Sequence, residues 1–442
     1  MAAQLAKTDV ETALAREFAD ARPGLPGSGA LAELRAADFA RFEALGLPHR
    51  RVEDWKYTDL RNLMREALPV ASPPDAAALA QAREALAKHA LPGARVLVMA
   101  DGHFIAALSD LAALEPGLSI RTLAETLASP NAGIVAALSQ TAAASDPMFA
   151  LNGAMMGDGI VIDLADETNL ARPIQLIHVA CGGPASAYTR SLVRAGRNAR
   201  ATLAELFIAT GAAADYQVND AVLFSLDAGA RIDHARIMEE APAALHVATL
   251  VARVGAQAHF NTFNLTAGGA VSRYQAFIGF EGEGATVETN GVNLIRGTQH
   301  ADTTLFLDHA RAHCTSREQF RAVVDNRARS VFQGKIVVQQ EAQKTDAKMM
   351  ARALLLSDEA EADAKPELEI YADDVACGHG ATSGALDQSL LFYLRARGLP
   401  EAEAQALLVQ AFVGEAIESI VDEGLRDAAL ATAIRFLKMR GN

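Results

Sequence analysis

Cysteine is scarce in this chain: its 442 residues hold only Cys181, Cys314 and Cys377. Three thiols so far apart cannot form a disulfide framework, and a chain of this length can bury enough surface to stabilise its own core. That usage fits a reducing, cytoplasmic setting. Trp55 is the single tryptophan, and aromatic residues make up only 5% of the chain. No apolar run reaches the roughly 18 residues a membrane helix needs. The opening residues, MAAQLAKTDVETALAREFAD, lack the apolar stretch of a secretory signal. Basic residues are outnumbered, with 40 Lys and Arg against 54 Asp and Glu, giving a net charge of −14. An acidic surface repels phosphate backbones and argues against nucleic-acid binding. Half of the residues are apolar and 21% are charged, a globular composition rather than a disordered one.

What is present falls into three stretches. The first ninety or so residues read as helical. Thr8 and Glu11 have capping-box spacing, and Val10, Leu14 and Phe18 then recur every fourth residue. Arg22-Pro23-Gly24 ends that helix, and a second runs from about Leu31 to Leu45 and stops at Gly46. The stretch from Pro48 to Asp59 reads as a turn at a helix start, anchored by Trp55. From about Arg95 the period changes: Val96 to Met99, Asp101-Gly102 and His103 to Ile105 read as a hairpin. The last fifty residues are helical again. Pro400 is expected at a first helical position, and Leu408, Phe412, Ala416 and Ile420 form a stripe widened by Leu407 and Ala411. Gly424 is expected to separate this helix from another over Arg426 to Met439.

Between the helical ends, short β-branched runs are punctuated by turns at Gly196-Arg197-Asn198-Ala199, Gly229-Ala230, Gly255-Ala256, Gly284-Ala285, His309-Ala310 and Asn326-Arg327-Ala328. Intervals of about 20–50 residues mark solenoids. The units lack paired amphipathic helices, and Phe260, Phe263, Phe277 and Phe280 alternate with small and polar residues. A parallel β-helix fits this pattern, and a β-sandwich with long loops is the rival. The open ends of a β-helix need covering, and the helical termini are natural covers. The C-terminal pair either caps the chain's own core or docks a partner. The organisation read here is a helical region over 1–92, a mixed connecting segment over 93–146, the repeat core over 147–386 and a helical region over 387–442.

Few motifs carry chemistry. Gly334-Lys335 imitates part of a phosphate loop, but Arg329 and Ile336 occupy positions that need Gly and Ser or Thr, so Lys335 is assigned to a strand. Gly378 to Gly384 has the wrong glycine spacing for a dinucleotide loop. His309 and His313 lack the glutamate of a zinc helix. The distinctive stretch is Leu368 to Thr382. Read as one strand, it presents Asp373, Val375, Cys377 and His379 on one face. Thiolate and imidazole suit iron or zinc, yet two or three donors do not complete a site. A metal here is transient or shared with a partner, and the bland alternative is a buried cysteine beside a turn histidine.

The stretch VFQGKIVVQQEAQKTDAKM (Val331 to Met349), the stretch Ala353 to Asp387 containing ACGHGATSG, and LLFYLRARGL (Leu390 to Leu399) resemble the SufB/SufD family of iron–sulfur cluster assembly scaffolds. VEDWKYTDL and FALNGAMMGDGIVI also resemble family elements. The resemblance implies a right-handed parallel β-helix between helical ends, and a complex with SufB-like and SufC-like subunits, the latter ABC-type ATPases. Cys377-Gly378-His379-Gly380 resembles the SufD branch, whereas SufB-like chains carry glutamate after the histidine. Met349-Met350-Ala351-Arg352 also lacks the cluster-site cysteine of SufB-like chains. The implied role is non-enzymatic: iron acquisition and nascent cluster formation at the SufB–SufD interface, with no stably bound cofactor. The resemblance implies His379 as the metal residue, with Cys377 as its neighbour. Tyr393, Arg395, Arg397 and Gly398 lie in the implied ATPase-docking region. Homodimerisation of the isolated chain stays open. A carbohydrate-active β-helix enzyme and a SufB-like primary scaffold are the alternatives. Sparse aromatics weigh against the first and the missing thiol against the second.

Overall fold

The computed structural model describes residues 6–130, 132–139, 142–211, 213 and 215–438. Strands of mostly nine or ten residues alternate between two sheets, one of ten strands and one of nine, and from Ile160–Leu164 onward each pairs with the strand two places along in sequence. From Ile174 onward this pairing is parallel. The molecule is therefore mainly a parallel β-solenoid with helical regions before and after it, as the sequence indicated. In the segment 93–146, Arg95–Ala100 joins the ten-stranded sheet in parallel, and His103–Phe104 folds back on it as the expected hairpin. Leu118–Thr122 pairs antiparallel with Ile160–Leu164 in the other sheet.

The corners explain why the repeat looked irregular. Glu167, Asn198, Gly229, Gln257, Gly284, His313 and Lys344 all have φ between 56° and 71°, at intervals of 27 to 31 residues. Each donates its backbone N–H to a carbonyl at the corresponding corner one rung on. A residue that turns the chain this way must tolerate the left-handed region, which favours Gly and Asn. The turn expected at His309-Ala310 comes later, at His313. His309 ends its strand inside the solenoid, where its Nε2 lies 2.9 Å from the Ser316 hydroxyl. Asn326 belongs to the opposite corner, with Gly269 and Gly297. The sequence reading had mixed two corner types.

Alternation along each strand divides the side chains between lumen and outer face. Inward-facing Leu176, Ile232, Phe260, Val287, Leu250, Leu305 and Ile336 form part of the central column. Of the four spaced phenylalanines, Phe260 and Phe280 point inward, whereas Phe263 and Phe277 point outward beneath helices. Both faces are covered, which is why the runs read as nearly continuous apolar segments.

Helix Asp9–Ala21 starts with the expected capping box, and Ala30–Leu45 ends at Gly46. These two helices and Pro147–Met155 pack on the outer face of the nine-stranded sheet. Trp55 is buried with them; its Nε1 donates to Asp146 Oδ2 at 2.9 Å, and the Arg273 guanidinium stacks 3.7 Å from its ring. Trp55→Ala is expected to destabilise the fold by about 3–5 kcal/mol through the lost burial and the cavity left behind. Denaturant unfolding would measure this, and a loss below about 1 kcal/mol would contradict the anchoring role.

The C-terminal helices do not cover the end of the solenoid. Glu401–Ile417 and Glu423–Lys438 lie along the outer face of the ten-stranded sheet, against Ile237, Phe263, Leu265, Val292 and Val323. The buried stripe is Val409, Val413, Ala416, Ile417 and Ile420; Leu408 and Phe412 are only half-buried, and Leu407 is exposed. The first of these helices is apolar nearly all round, so docking on the sheet sets the phase. Pro400 stands one residue before this helix rather than at its first helical position, and its side chain makes no capping hydrogen bond there. Gly424 lies inside the last helix, whose start is held by the Asp422 carboxylate accepting from the Leu425 N–H at 2.9 Å. Among the described residues no helix is long and apolar enough to cross a membrane.

Candidate functional site: the open end of the solenoid

Because the terminal helices fold back along the side, the last rung is bare. It consists of Glu361–Ile370, at the edge of the nine-stranded sheet, and Ala376–Gly384, at the edge of the ten-stranded sheet. The expected single strand over Leu368 to Thr382 is thus two strands joined by a corner. Lys344 donates to the Asp374 carbonyl at that corner, which turns the chain, so Asp373 does not share a strand face with Cys377. Lys335 is on a strand, as expected, and its Nζ pairs with Glu369 at 2.7 Å. The Gly378 to Gly384 stretch is strand rather than loop.

The two edges differ. In a parallel ladder, backbone N–H groups alternate between the two sides of a strand. Glu361 donates to Ala328, so the N–H groups of alternate residues Glu361 to Glu369 face the neighbouring strand, and Pro366 falls on the free side. Proline has no N–H, so that edge is interrupted. Ala376 donates to Thr345, which leaves the N–H groups of Cys377, His379, Ala381 and Ser383 pointing outward without interruption. The Ala376–Gly384 edge is therefore the one able to accept a further strand.

Cys377 and His379 lie two apart on this strand and share its inner face, in register with buried Ala347 and Met349. Cys377 is half-buried against the lumen cluster and His379 is exposed. Burial pushes the Cys377 thiol up, and the Asp346 and Glu318 carboxylates add to this against a hydrogen bond from the Ala347 backbone. A thiol held in its neutral form is a poor nucleophile. The other two cysteines are buried elsewhere in the chain. Gly378 faces open space, so the outer side of the strand is flat there.

Two residues below this rung were missed by the sequence reading. Thr289, Glu318, Met349 and His379 occupy successive rungs of one register column. Glu318 is fully buried and neither carboxylate oxygen has a hydrogen-bond partner in the structure. Burial pushes its carboxyl up to about 8, only weakly opposed by Ser316 and Arg317. The signal was present in the spacing, because residues 318, 349 and 379 are one rung apart each time.

Beyond the last rung, helix Gln388–Ala396 buries only Leu391 and leaves Leu390, Phe392 and Tyr393 exposed, Phe392 at 74%. Arg397 stacks on Tyr393 at 4.3 Å and Arg395 pairs with Glu401 at 3.2 Å. Gly398, at φ 93°, redirects the chain into the next helix. Of the four residues assigned to docking, Gly398 sets backbone geometry, while Tyr393, Arg395 and Arg397 are on or next to the exposed helix. Phe392, the most exposed aromatic of that surface, had not been singled out.

Comparison with known proteins decides the family. Residues 178–412 match the SufBD core domain of SUF-system FeS cluster assembly, and residues 26–176 match the SufBD protein N-terminal region. The chain belongs to the SufB/SufD family. It is 33% identical to the iron–sulfur cluster assembly protein SufD of Escherichia coli over 396 residues, 87% of this chain and 88% of the relative. It is 30% identical to a SufBD family protein of Synechocystis over 390 residues, covering 85% and 84% of the two chains. A Bacillus subtilis SufD is 26% identical over 307 residues, 66% of this chain and 67% of the relative. The chain is thus a SufD-like member of an iron–sulfur cluster assembly family. The carbohydrate-active alternative rested on fold type alone and loses its support.

Proposed function

We propose that this SufD-like chain is a non-catalytic subunit that contributes half of an assembly site, completed by a SufB-like chain at the open end of its solenoid. The observation that carries this reading is the uncapped last rung, where one unblocked strand edge also holds Cys377 and His379. Two donors in one chain leave an iron ion or a nascent cluster short of ligands, so the cargo is held only when a partner supplies the rest. The raised thiol suits Cys377 to a secondary role rather than to accepting sulfur. The exposed face of Gln388–Ala396 is assigned to a SufC-like ATPase, and no nucleotide is bound by this chain itself.

Co-expression tests the reading. A SufB-like chain and a SufC-like ATPase should co-purify with this chain. Recovery of the chain alone or only as a homodimer, in the presence of both partners, would contradict it. Removing everything after Gly398 would be a poor test, because it strips a buried face of the ten-stranded sheet. Phe392→Asp is the cleaner probe. It should cut ATPase recovery by roughly tenfold, about 1.4 kcal/mol, without shifting the unfolding midpoint, since the side chain is exposed. Normal recovery would move the ATPase site elsewhere.

A further inference from the structure

At the open end the chain does not fill its own lumen. A cavity of about 240 Å3 lies there between the two sheets. Its walls include Ala351, Ala353, Ala381 and Ser383 on the ten-stranded sheet, and Ala362 and Ala364 on the nine-stranded one. Protein interiors are as densely packed as organic crystals, and voids larger than a water molecule are few. Small residues at this many facing positions leave space that nothing in the chain occupies.

The register shows where the space opens. One inward column of the ten-stranded sheet begins with Phe207 and Met238 and ends, through Asn293, in Ala322, Ala353 and Ser383. A column on the nine-stranded sheet passes from His246 through Ser272, Ala301 and Ser330 to Ala362. Large side chains thus fill the earlier rungs and give way to Ser and Ala toward the mouth. At the floor, the Asn293 amide donates to the Thr303 and Ser330 hydroxyls at 3.3 Å each, so these polar groups already have partners. The Phe320 and Phe332 rings, 5.1 Å apart, form another part of the wall. The charged residues beside the mouth, Arg321 and Asp363, face the outer side and pair with Glu415 and Arg329. A charged group entering the cavity would find no counterion, which disfavours it. An apolar cavity of about 150 Å3 is large enough for benzene, so this one has room for an aromatic ring.

We propose that the cavity is a socket for a large aromatic side chain of the SufB-like partner, carried on the strand that pairs with Ala376–Gly384. A strand added to that edge continues the pleat, so its side chains opposite Ala381 and Ser383 are directed into the lumen. Aromatic side chains seated in pockets are the usual anchors of an interface. A second copy of this chain is a poor occupant. Its edge strand offers Cys377, His379, Ala381 and Ser383 on the inner face, and only the histidine is large. The socket therefore favours a different chain over a homodimer. This rests on the shared-site reading for where the partner docks, and adds the chemistry the partner brings there.

The test fills the socket from within. Ala353→Leu places a larger apolar side chain one rung below the edge, away from the groups that pair with a new strand. Binding of the purified SufB-like chain to the full-length wild type and variant is measured by calorimetry, alongside the unfolding midpoint of each free chain. Ala353→Leu should keep or raise the midpoint, because it fills a void, and should weaken partner binding by at least about tenfold. In the partner, each aromatic residue of the strand that gains hydrogen-exchange protection on binding is changed to alanine in turn. One of these changes should weaken binding to wild type by at least about tenfold and weaken binding to Ala353→Leu far less, since the ring and the leucine compete for one space. Wild-type affinity in Ala353→Leu, or no such coupling at any partner position, would overturn the socket and leave the shared-site reading standing. A lowered midpoint would show that the lumen is already filled, and would overturn the socket as well. Failure of the wild-type chain to bind the SufB-like chain at all would overturn the shared-site reading itself, and the socket with it.

Discussion

Replacing His379 with alanine is expected to lower cluster assembly by at least about tenfold in a complex that still forms normally. The side chain is exposed at the last rung, so its loss removes no core packing. What it removes is an imidazole donor on the inner face of the end strand whose row of outward N–H groups is unbroken. His379→Cys puts a thiolate with a shorter reach at the same point, and should keep part of the activity. Cys377→Ala should be milder, since that thiol is held neutral and half-buried. The measurement is anaerobic reconstitution with iron and a sulfur donor, following the visible charge-transfer absorbance of the cluster. A structural role for His379 predicts a different pattern, with both His379 variants failing to assemble with partners. Wild-type cluster formation by His379→Ala in an intact complex would remove the histidine from the site.

The second large effect concerns the strand edge. Ala381→Pro deletes one outward N–H from Ala376–Gly384 without touching the ladder to Asp346–Leu355, because Ala381 donates to the free side. Pairing through main-chain bonds depends on an unbroken row of donors, and the proline ring also blocks close approach. Affinity for the SufB-like chain should fall by roughly tenfold or more, with little change in the stability of the free chain. Thr382→Pro is the control. Its N–H faces inward to the neighbouring strand, so it should instead lower the unfolding midpoint. If Ala381→Pro bound the partner normally, the partner would dock by side chains alone or at another surface.

Much of the fold was legible because the rung repeat is printed in the corners. Only residues that tolerate positive φ can turn each rung, so Asn198, Gly229 and Gly284 stood out. His313 and Lys344 occupy equivalent corners without a telltale residue type, which is why the period appeared to drift. The helical stripe near the C-terminus was read out of phase because Leu407, Leu408 and Phe412 are as apolar as Val409 and Val413, and only docking on the sheet distinguishes them. The placement of that helix was not legible at all. The covering of a solenoid end and the covering of its side demand the same amphipathic sequence. Cys377 and His379 could be found because they are two residues apart on one strand. Glu318 and Met349 could not be found by local pattern, since each meets its neighbours about thirty residues away, across rungs. Laying the sequence on the corner spacing would have brought them into one column.

Completion of the last rung by another chain is what the function turns on. Hydrogen–deuterium exchange of the Ala376–Gly384 amides, in the free chain and with the SufB-like partner, tests this directly. The N–H groups of Cys377, His379, Ala381 and Ser383 should exchange freely alone and become strongly protected in the complex, while Gly378, Gly380 and Thr382 are protected in both. Unchanged rapid exchange at those four outward amides in a stable complex would contradict the account.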